Sequence, residues 1–129
     1  MQTPDALSTL ERLVASNSAI QLAVLTTSDG HEIAACPERP LITQRIAAMS
    51  SSLQALSDAI VRESSLGSGR NLIIESDAGL IVILGLTRFT PRASLAVLAS
   101  GTGILGQLLW AARDCCQSLE RGLGERIVS

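Results

Sequence analysis

The segment "RNLIIESDAGLIVILGLT", residues 70–87, decides the fold of this protein. Residues 70–76 and 79–87 both have the composition of β-strands, and the turn at Asp77–Gly79 leaves room only for a tight hairpin. The second strand is apolar on both of its faces, which predicts a central strand that is covered on each side. The segment therefore predicts an antiparallel sheet with helices packed on both faces.

The rest of the chain completes this arrangement. Residues 3–15 have the apolar spacing of a short helix, with Pro at its first turn. Residues 19–36 alternate in strand fashion around Asp29-Gly30, a dipeptide that favours a tight hairpin turn. Residues 93–100 read as a fifth strand, and a final helix follows it to about Leu119.

The most regular element is a long helix predicted over residues 41–65. Its large apolar residues recur at intervals of 4, 3, 4, 3 and 4, which is the spacing of one helical face. They form an apolar seam made of Ile42, Ile46, Met49, Leu53, Leu56 and Ile60. The predicted fold class is α+β: a five-stranded antiparallel sheet between one long helix and two shorter helices, in the order α-β-β-α-β-β-β-α.

Size and composition favour one globular domain. The 129 residues are 47% hydrophobic, so we expect a single domain with a core over about 4–120 and a frayed tail over 121–129. The net charge is −2, the ten basic residues are scattered arginines, and there are only two aromatic residues, which argues against nucleic-acid binding. No run approaches the roughly 20 apolar residues of a membrane helix. The N-terminus lacks the pattern of a signal peptide, so we expect a cytoplasmic protein without membrane insertion.

A glycine motif in residues 101–106, "GTGILG", matches the pattern of a dinucleotide-binding loop. That function requires a β-α-β unit with a parallel strand after the helix, and here only about ten residues follow the last predicted helix. We interpret Gly101 and Gly103 as residues that turn the chain out of the strand. Gly106 is expected to let the last helix approach its neighbour.

The remaining chemically active residues form no catalytic or metal-binding set. His31 lies beside a turn and has no nucleophile or metal ligand at a useful spacing. Cys115 falls on the apolar stripe of the last helix, where a free thiol acts as a small apolar group. Trp110 is expected at the edge of the core. We predict no enzyme activity, no catalytic residue, no cofactor and no metal.

The informative feature is an excess of apolar surface. The seam and the alanines beside it are together wider than one sheet face would cover; these alanines are Ala47, Ala48, Ala55 and Ala59. The strand at 70–76 is also apolar on both faces. An apolar edge strand favours pairing with another chain. We therefore predict a homodimer. Its expected interface residues are Asn71, Leu72, Ile73, Ile74, Glu75, Met49, Leu53 and Leu56.

The order and character of these segments resemble the roadblock family, the roadblock/dynein-light-chain type domain, from about Ile20 to Leu119. The resemblance is carried by "AVLTTSDGHEIAA", "RIAAMSSSLQALSDAI", "GRNLIIESDAGLIVILGL" and "LAVLASGTGILGQLLWAAR". It implies a non-enzymatic module whose members dimerise by joining sheets edge to edge, with their long second helices alongside each other. Many members regulate or scaffold small Ras-like GTPases, in bacteria often as single-domain proteins.

These observations lead to a hypothesis for function: a homodimeric, cytoplasmic, bacterial regulator or scaffold of a small Ras-like GTPase. The resemblance places the partner surface on the side of the long helix, where Gln44, Arg45, Ser51, Gln54 and Asp58 are expected to be exposed. One alternative is an adaptor that joins sensor-kinase, filament or motor components. A second is a small-molecule sensor, although few polar groups converge on the apolar faces. The sequence leaves open which face of the long helix meets the sheet.

Overall fold

A computed structural model describes residues 4–67, 69, 71–89, 92–101 and 104–128, with only the backbone described for 4–5 and 123–128. It confirms the predicted fold class and order of elements. The elements are α1 (Pro4–Ser16), β1 (Ile20–Thr27), β2 (Glu32–Cys36), α2 (Pro40–Glu63), β3 (Asn71–Ser76), β4 (Gly79–Leu86), β5 (Ala93–Ser100) and α3 (Leu105–Val128).

The five strands form one antiparallel sheet in the order β2-β1-β5-β4-β3. Among the described residues, β2 and β3 are therefore the outer strands. The middle strand of the five is β5. β4 is an interior strand between β5 and β3 with helices on both faces, as its apolar composition predicts.

The core lies on both faces of the sheet, but the two sides differ in size. α1 and α3 pack together over one face, around large apolar side chains such as Leu10, Leu25, Leu95 and Leu108. α2 packs over the other face, mainly against β1, β5 and β2. Its cluster is small, with Ala47 as the residue contributed by the helix. The two-sided arrangement agrees with the layered architecture expected from the sequence.

Two expectations about the last helix need correction. α3 continues to Val128 instead of ending near Leu119, so it is as long as α2 and the region 121–128 is helical. Trp110 does not lie at the edge of the core, because it is 71% exposed. Its position two residues after the buried Leu108 turns it to the opposite side of the helix, since successive residues are rotated by about 100°.

The structure also shows the positions of the predicted hairpin turn and of the glycines. Gly30 has a φ of 92° between β1 and β2, as expected for a tight turn. Gly106 is not a close-packing position, because a Cβ there would have no neighbour within 4 Å. Thr3, Arg70 and Gly103 lie outside the described residues.

Candidate interaction surface

α2 is oriented with its polar residues inward and its large apolar residues outward. The residues buried against the sheet are Thr43, Ala47, Ser50 and Gln54. Most of the apolar seam is exposed: the exposed seam residues are Ile42, Met49, Leu53, Leu56 and Ile60. Only Ile46 is half-buried and packs on the core beneath the helix. The question that the sequence left open is therefore answered, because the seam does not face the sheet of its own chain.

The buried polar side of α2 is stabilised in part by the helix itself. The Thr43 hydroxyl donates to the carbonyl of Arg39 at 3.1 Å, so its burial leaves this donor paired. Small side chains such as Thr43, Ala47 and Ser50 also allow the helix to lie close to the strands. A polar but compact face therefore fits the sheet better than the bulky seam would.

The seam lies on the flank of α2 opposite to the one that contacts the β1–β2 turn. A Cβ on Gly30, in the β1–β2 turn, would lie 3.2 Å from Ser51 Oγ and 3.4 Å from Ala48 Cα. This places one flank of the helix against the β1–β2 turn. Successive residues of a helix are rotated by about 100°. Met49 and Leu53 therefore lie on the opposite flank of α2 from Ala48 and Ser51, with the inward-facing residues between the two flanks. The exposed seam thus lies on the flank of α2 that is turned away from the β1–β2 turn.

β3 presents apolar side chains on both faces at this edge. Leu72 and Ile74 pair with Ile83 and Ile81 of β4, on the face that carries α2. Ile73 pairs with Val82, on the face that carries α3, and is 39% exposed. Leu72 and Ile74 are half-buried. We call the seam of α2 together with Leu72, Ile73 and Ile74 the apolar ledge.

The structure places the predicted interface residues on α2 and on β3. Met49, Leu53 and Leu56 lie on the seam, and Asn71 to Glu75 lie along the outer strand β3. The seam residues Ile42 and Ile60 belong to the same exposed surface, and their spacing in the sequence was the signal that could have added them to the predicted interface.

The predicted partner surface is only partly exposed. Gln44 and Arg45 are exposed and Ser51 is half-buried, but Gln54 is only 4% exposed and faces the sheet. The expectation that Gln54 is exposed was therefore wrong. Its position, four residues after the inward-facing Ser50, places it on the buried side of the helix.

Asp58 also differs from expectation, because it forms an ion pair that the sequence did not reveal. Arg92 Nη1 donates to Asp58 Oδ2 at 2.5 Å, and the Asp58 side chain is only 14% exposed. The guanidinium of Arg92 lies against Gly85, where a Cβ would be 2.4 Å from Nη2. Asp58 thus attaches the C-terminal half of α2 to the start of β5. No sequence pattern joins residues 58 and 92, since they meet only in the folded chain.

The other candidate residues occupy structural positions. His31 is exposed at the β1–β2 turn, where its Nε2 is 3.7 Å from Asp29 Oδ2. A hydrogen bond from the Thr27 hydroxyl lowers the pKa of Asp29. Cys115 and Cys116 belong to α3 and are buried in the core, and burial raises the pKa of both thiols. Within the described residues, no group of three His, Cys, Asp or Glu side chains is arranged to hold a metal ion.

Gly101 follows the antiparallel strand β5 and Gly106 lies in the first turn of α3, and among the described residues no strand follows that helix, so the motif is not part of a β-α-β unit. A Cβ on Gly101 would lie 3.2 Å from the carbonyl oxygen of Ala78 in the β3–β4 turn. The close approach of these two backbones accounts for this glycine. In the described part of the chain, no helix is both long and apolar enough to cross a membrane.

Comparison with known proteins identifies the fold. No protein-family model and no curated protein matches the sequence. The structure is similar to a Roadblock/LC7 domain from Streptomyces avermitilis, with 24% identity over 91% of this chain and 96% of that one and a TM-score of 0.82. It is also similar to Myxococcus xanthus MglB, with 13% identity, coverage of 95% and 97%, and a TM-score of 0.82. The gliding protein MglB from Thermus thermophilus has 16% identity, coverage of 91% and 87%, and a TM-score of 0.77.

The molecule is therefore an α+β domain with the roadblock/LC7 fold, and the resemblance noted in the sequence is confirmed for the fold.

Proposed function

We propose that this protein is a non-enzymatic homodimer that regulates or scaffolds a small Ras-like GTPase in the cytoplasm. The observation that carries the proposal is the apolar ledge. It combines the exposed seam of α2 with the apolar outer strand β3, whose Leu72 and Ile74 lie on the sheet face that carries α2.

The ledge supports self-association because leaving it in water is unfavourable. Met49, Leu56 and Ile60 are each more than half exposed. Burying one such side chain completely is worth about 1.5–3 kcal/mol, so their partial burial in an interface adds a substantial driving force. Large exposed apolar patches of this kind mark interaction sites. A second copy fits because it supplies both a matching strand edge and a matching seam.

The choice of a GTPase as the further partner comes from the resemblance to the roadblock family. The part of α2 available for that partner is its exposed polar surface outside the seam, which includes Gln44 and Arg45, whereas Ser51 is half-buried beside the β1–β2 turn. Arg45 is exposed and lies on the side of the helix away from the sheet. It is therefore the residue whose charge we expect to matter for binding.

The test is capture by the purified protein from the cytoplasm of its own organism, with added GDP or a non-hydrolysable GTP analogue. We expect a small GTPase to be retained in the GTP-like state and to bind again when both proteins are pure. Arg45→Glu should weaken that binding while the dimer remains intact. Arg121→Glu is the matched control, since it makes the same charge change at an exposed position on α3.

Three results would contradict the proposal or its assigned surface. Capture of kinases or filament components regardless of nucleotide would favour the adaptor function. Failure of the purified GTPase to bind would remove the assigned partner. Equal loss of binding in the Arg45 and Arg121 variants would show that the α2 surface has no special role.

A further inference from the structure

The backbone of β3 directs its hydrogen-bonding groups alternately toward β4 and toward the open edge. Ser76 pairs with Gly79 across a two-residue turn, and residues in these positions are joined by the hydrogen bond of the turn. Even-numbered residues of β3 therefore direct their N–H and C=O groups toward β4, because the pattern alternates along an antiparallel pair. Odd-numbered residues, with Ile73 at the centre, direct theirs outward.

A second, independent observation gives the same result. The N–H of Ser100 donates to the carbonyl of Ala19 at 2.8 Å, which turns the even-numbered residues of β5 toward β1. The odd-numbered residues of β5, including Val97, therefore bond to β4, where Val97 pairs with Val82. The N–H and C=O groups of Val82 therefore face β5. Ile73, which lies opposite Val82 in β3, is not hydrogen-bonded to Val82. The backbone groups of Ile73 thus point away from the sheet.

We propose that a second copy of this chain extends the sheet at β3 in an antiparallel register that places Ile73 of both copies on the two-fold axis. The inference rests on the homodimer of the proposed function and adds its register. The axis passes through a residue, because a register centred between two residues would set outward-facing groups opposite inward-facing ones.

Side-chain pairing selects Ile73 as the centre. In this register Ile73 lies opposite Ile73 of the second copy, and Leu72 lies opposite Ile74. Asn71 then lies opposite Glu75, so polar positions also match. Apolar cross-strand pairs stabilise a sheet, and both Leu72–Ile74 pairs lie on the face that carries the α2 seams.

The two neighbouring registers mix apolar with polar residues. Centred on Ile74, the pairing sets Ile73 opposite Glu75 and Leu72 opposite Ser76. Centred on Leu72, it sets Ile73 opposite Asn71 and leaves Ile74 beyond the start of the other β3 strand. Each alternative therefore loses apolar pairs that the Ile73-centred register keeps.

Cysteine cross-linking tests the register. In a Cys36→Ala background, which removes the half-buried thiol and leaves only the buried Cys115 and Cys116, single cysteines replace Ile73, Leu72 or Ile74. The proposal places two Ile73 positions about 5.5 Å apart between Cα atoms, within the usual disulfide range of about 4.4–6.8 Å. Each of the other two positions is about 7–8 Å from its own equivalent. Under mild oxidation we expect Ile73→Cys to form covalent dimers and the other two variants to form far fewer.

A mixture of Leu72→Cys and Ile74→Cys proteins provides a test that leaves Ile73 unchanged. These two positions lie opposite each other in the proposed register, so the mixture should cross-link although neither protein does so alone. Dominant cross-linking of Ile74→Cys or of Leu72→Cys by itself would overturn the register and select one of the alternatives. No cross-linking in any sample that light scattering shows to be dimeric would also overturn it.

Light scattering of the Cys36→Ala protein separates this inference from the proposed function. A monomer at all concentrations contradicts the homodimer itself. A dimer with a different cross-linking pattern contradicts only the register.

Discussion

A methyl group at Gly79 would lie 2.1 Å from the carbonyl oxygen of Ala99, so the pairing of β4 with β5 leaves no room for a side chain there. Gly106, in the first turn of α3, has open space around it. The two glycines therefore differ in their physical role although both are conspicuous in the sequence. Gly79 follows a turn that the sequence predicts, whereas its contact with β5 depends on strand pairing.

We predict opposite effects for alanine at these two positions. Gly79→Ala should lower the free energy of unfolding by about 3 kcal/mol, because the strand backbones must separate to accommodate the methyl group. Gly106→Ala should leave it unchanged or raise it by about 0.5 kcal/mol, because alanine favours the helix. Urea unfolding of both variants at one protein concentration measures the difference. A strongly destabilised Gly106→Ala would show that this glycine has a packing role after all.

The cysteines provide a second prediction at this scale. Burial raises the pKa of Cys115 to about 12 and raises that of Cys116 as well. At pH 8 we expect iodoacetamide to modify Cys36 in the folded protein and to modify all three thiols in urea, as peptide mass spectrometry will show. Because the unfolded thiols ionise near pH 9, the free energy of unfolding should fall as the pH rises above that value. Rapid labelling of Cys115 in the folded state would contradict its buried placement.

At the scale of one element, α2 shows how far a periodic pattern can be interpreted. The spacing from Ile42 to Ile60 predicts that these residues share a face of one helix, and the structure confirms the helix. The same spacing does not say whether that face meets the sheet or points outward. In the folded chain the compact side with Thr43, Ala47 and Ser50 meets the strands. The side chains that are buried are therefore those that fit closely, rather than those that are most apolar.

The exposed seam leads to a prediction for this helix. Leu56→Glu should produce a folded monomer, because Leu56 is 60% exposed in the single chain and a carboxylate buried in the dimer would be strongly unfavourable. Ser52→Glu is the control, since Ser52 is exposed on the same helix outside the seam. Light scattering gives the mass and circular dichroism the helix content. A dimeric Leu56→Glu protein with normal helix content would exclude the seam from the interface.

For the whole molecule, the unusual property is that the apolar core on one face of the sheet is much smaller than the core on the other face. α1 and α3 cover a large apolar core, whereas α2 covers a small one and leaves the apolar ledge exposed. A second copy that joins β3 to β3 would bring the two ledges to one interface. Folding and association are then expected to be linked.

This linkage predicts that the thermal midpoint rises with protein concentration, as it does whenever the folded state is dimeric. Ile73→Asp should abolish that dependence and give a monomer or an aggregate, because a charge replaces the apolar centre of the outer strand. Scanning calorimetry over a range of concentrations, together with light scattering, checks both parts. An intact dimer in the Ile73→Asp protein, with twice the 13.5 kDa of one chain, would remove β3 from the interface.

The sequence by itself determined the order of the elements, the two tight hairpins and the helical seam, because these depend on residues close together in the chain. It also determined that the chain carries more apolar surface than its own sheet can cover. Only the tertiary structure decided that β5 is central, that Gln54 is buried, that Trp110 is exposed and that Asp58 pairs with Arg92. Periodicity specifies which residues lie on the same side of an element. Which side is buried depends on the shape of the neighbouring elements, and those come from distant parts of the chain.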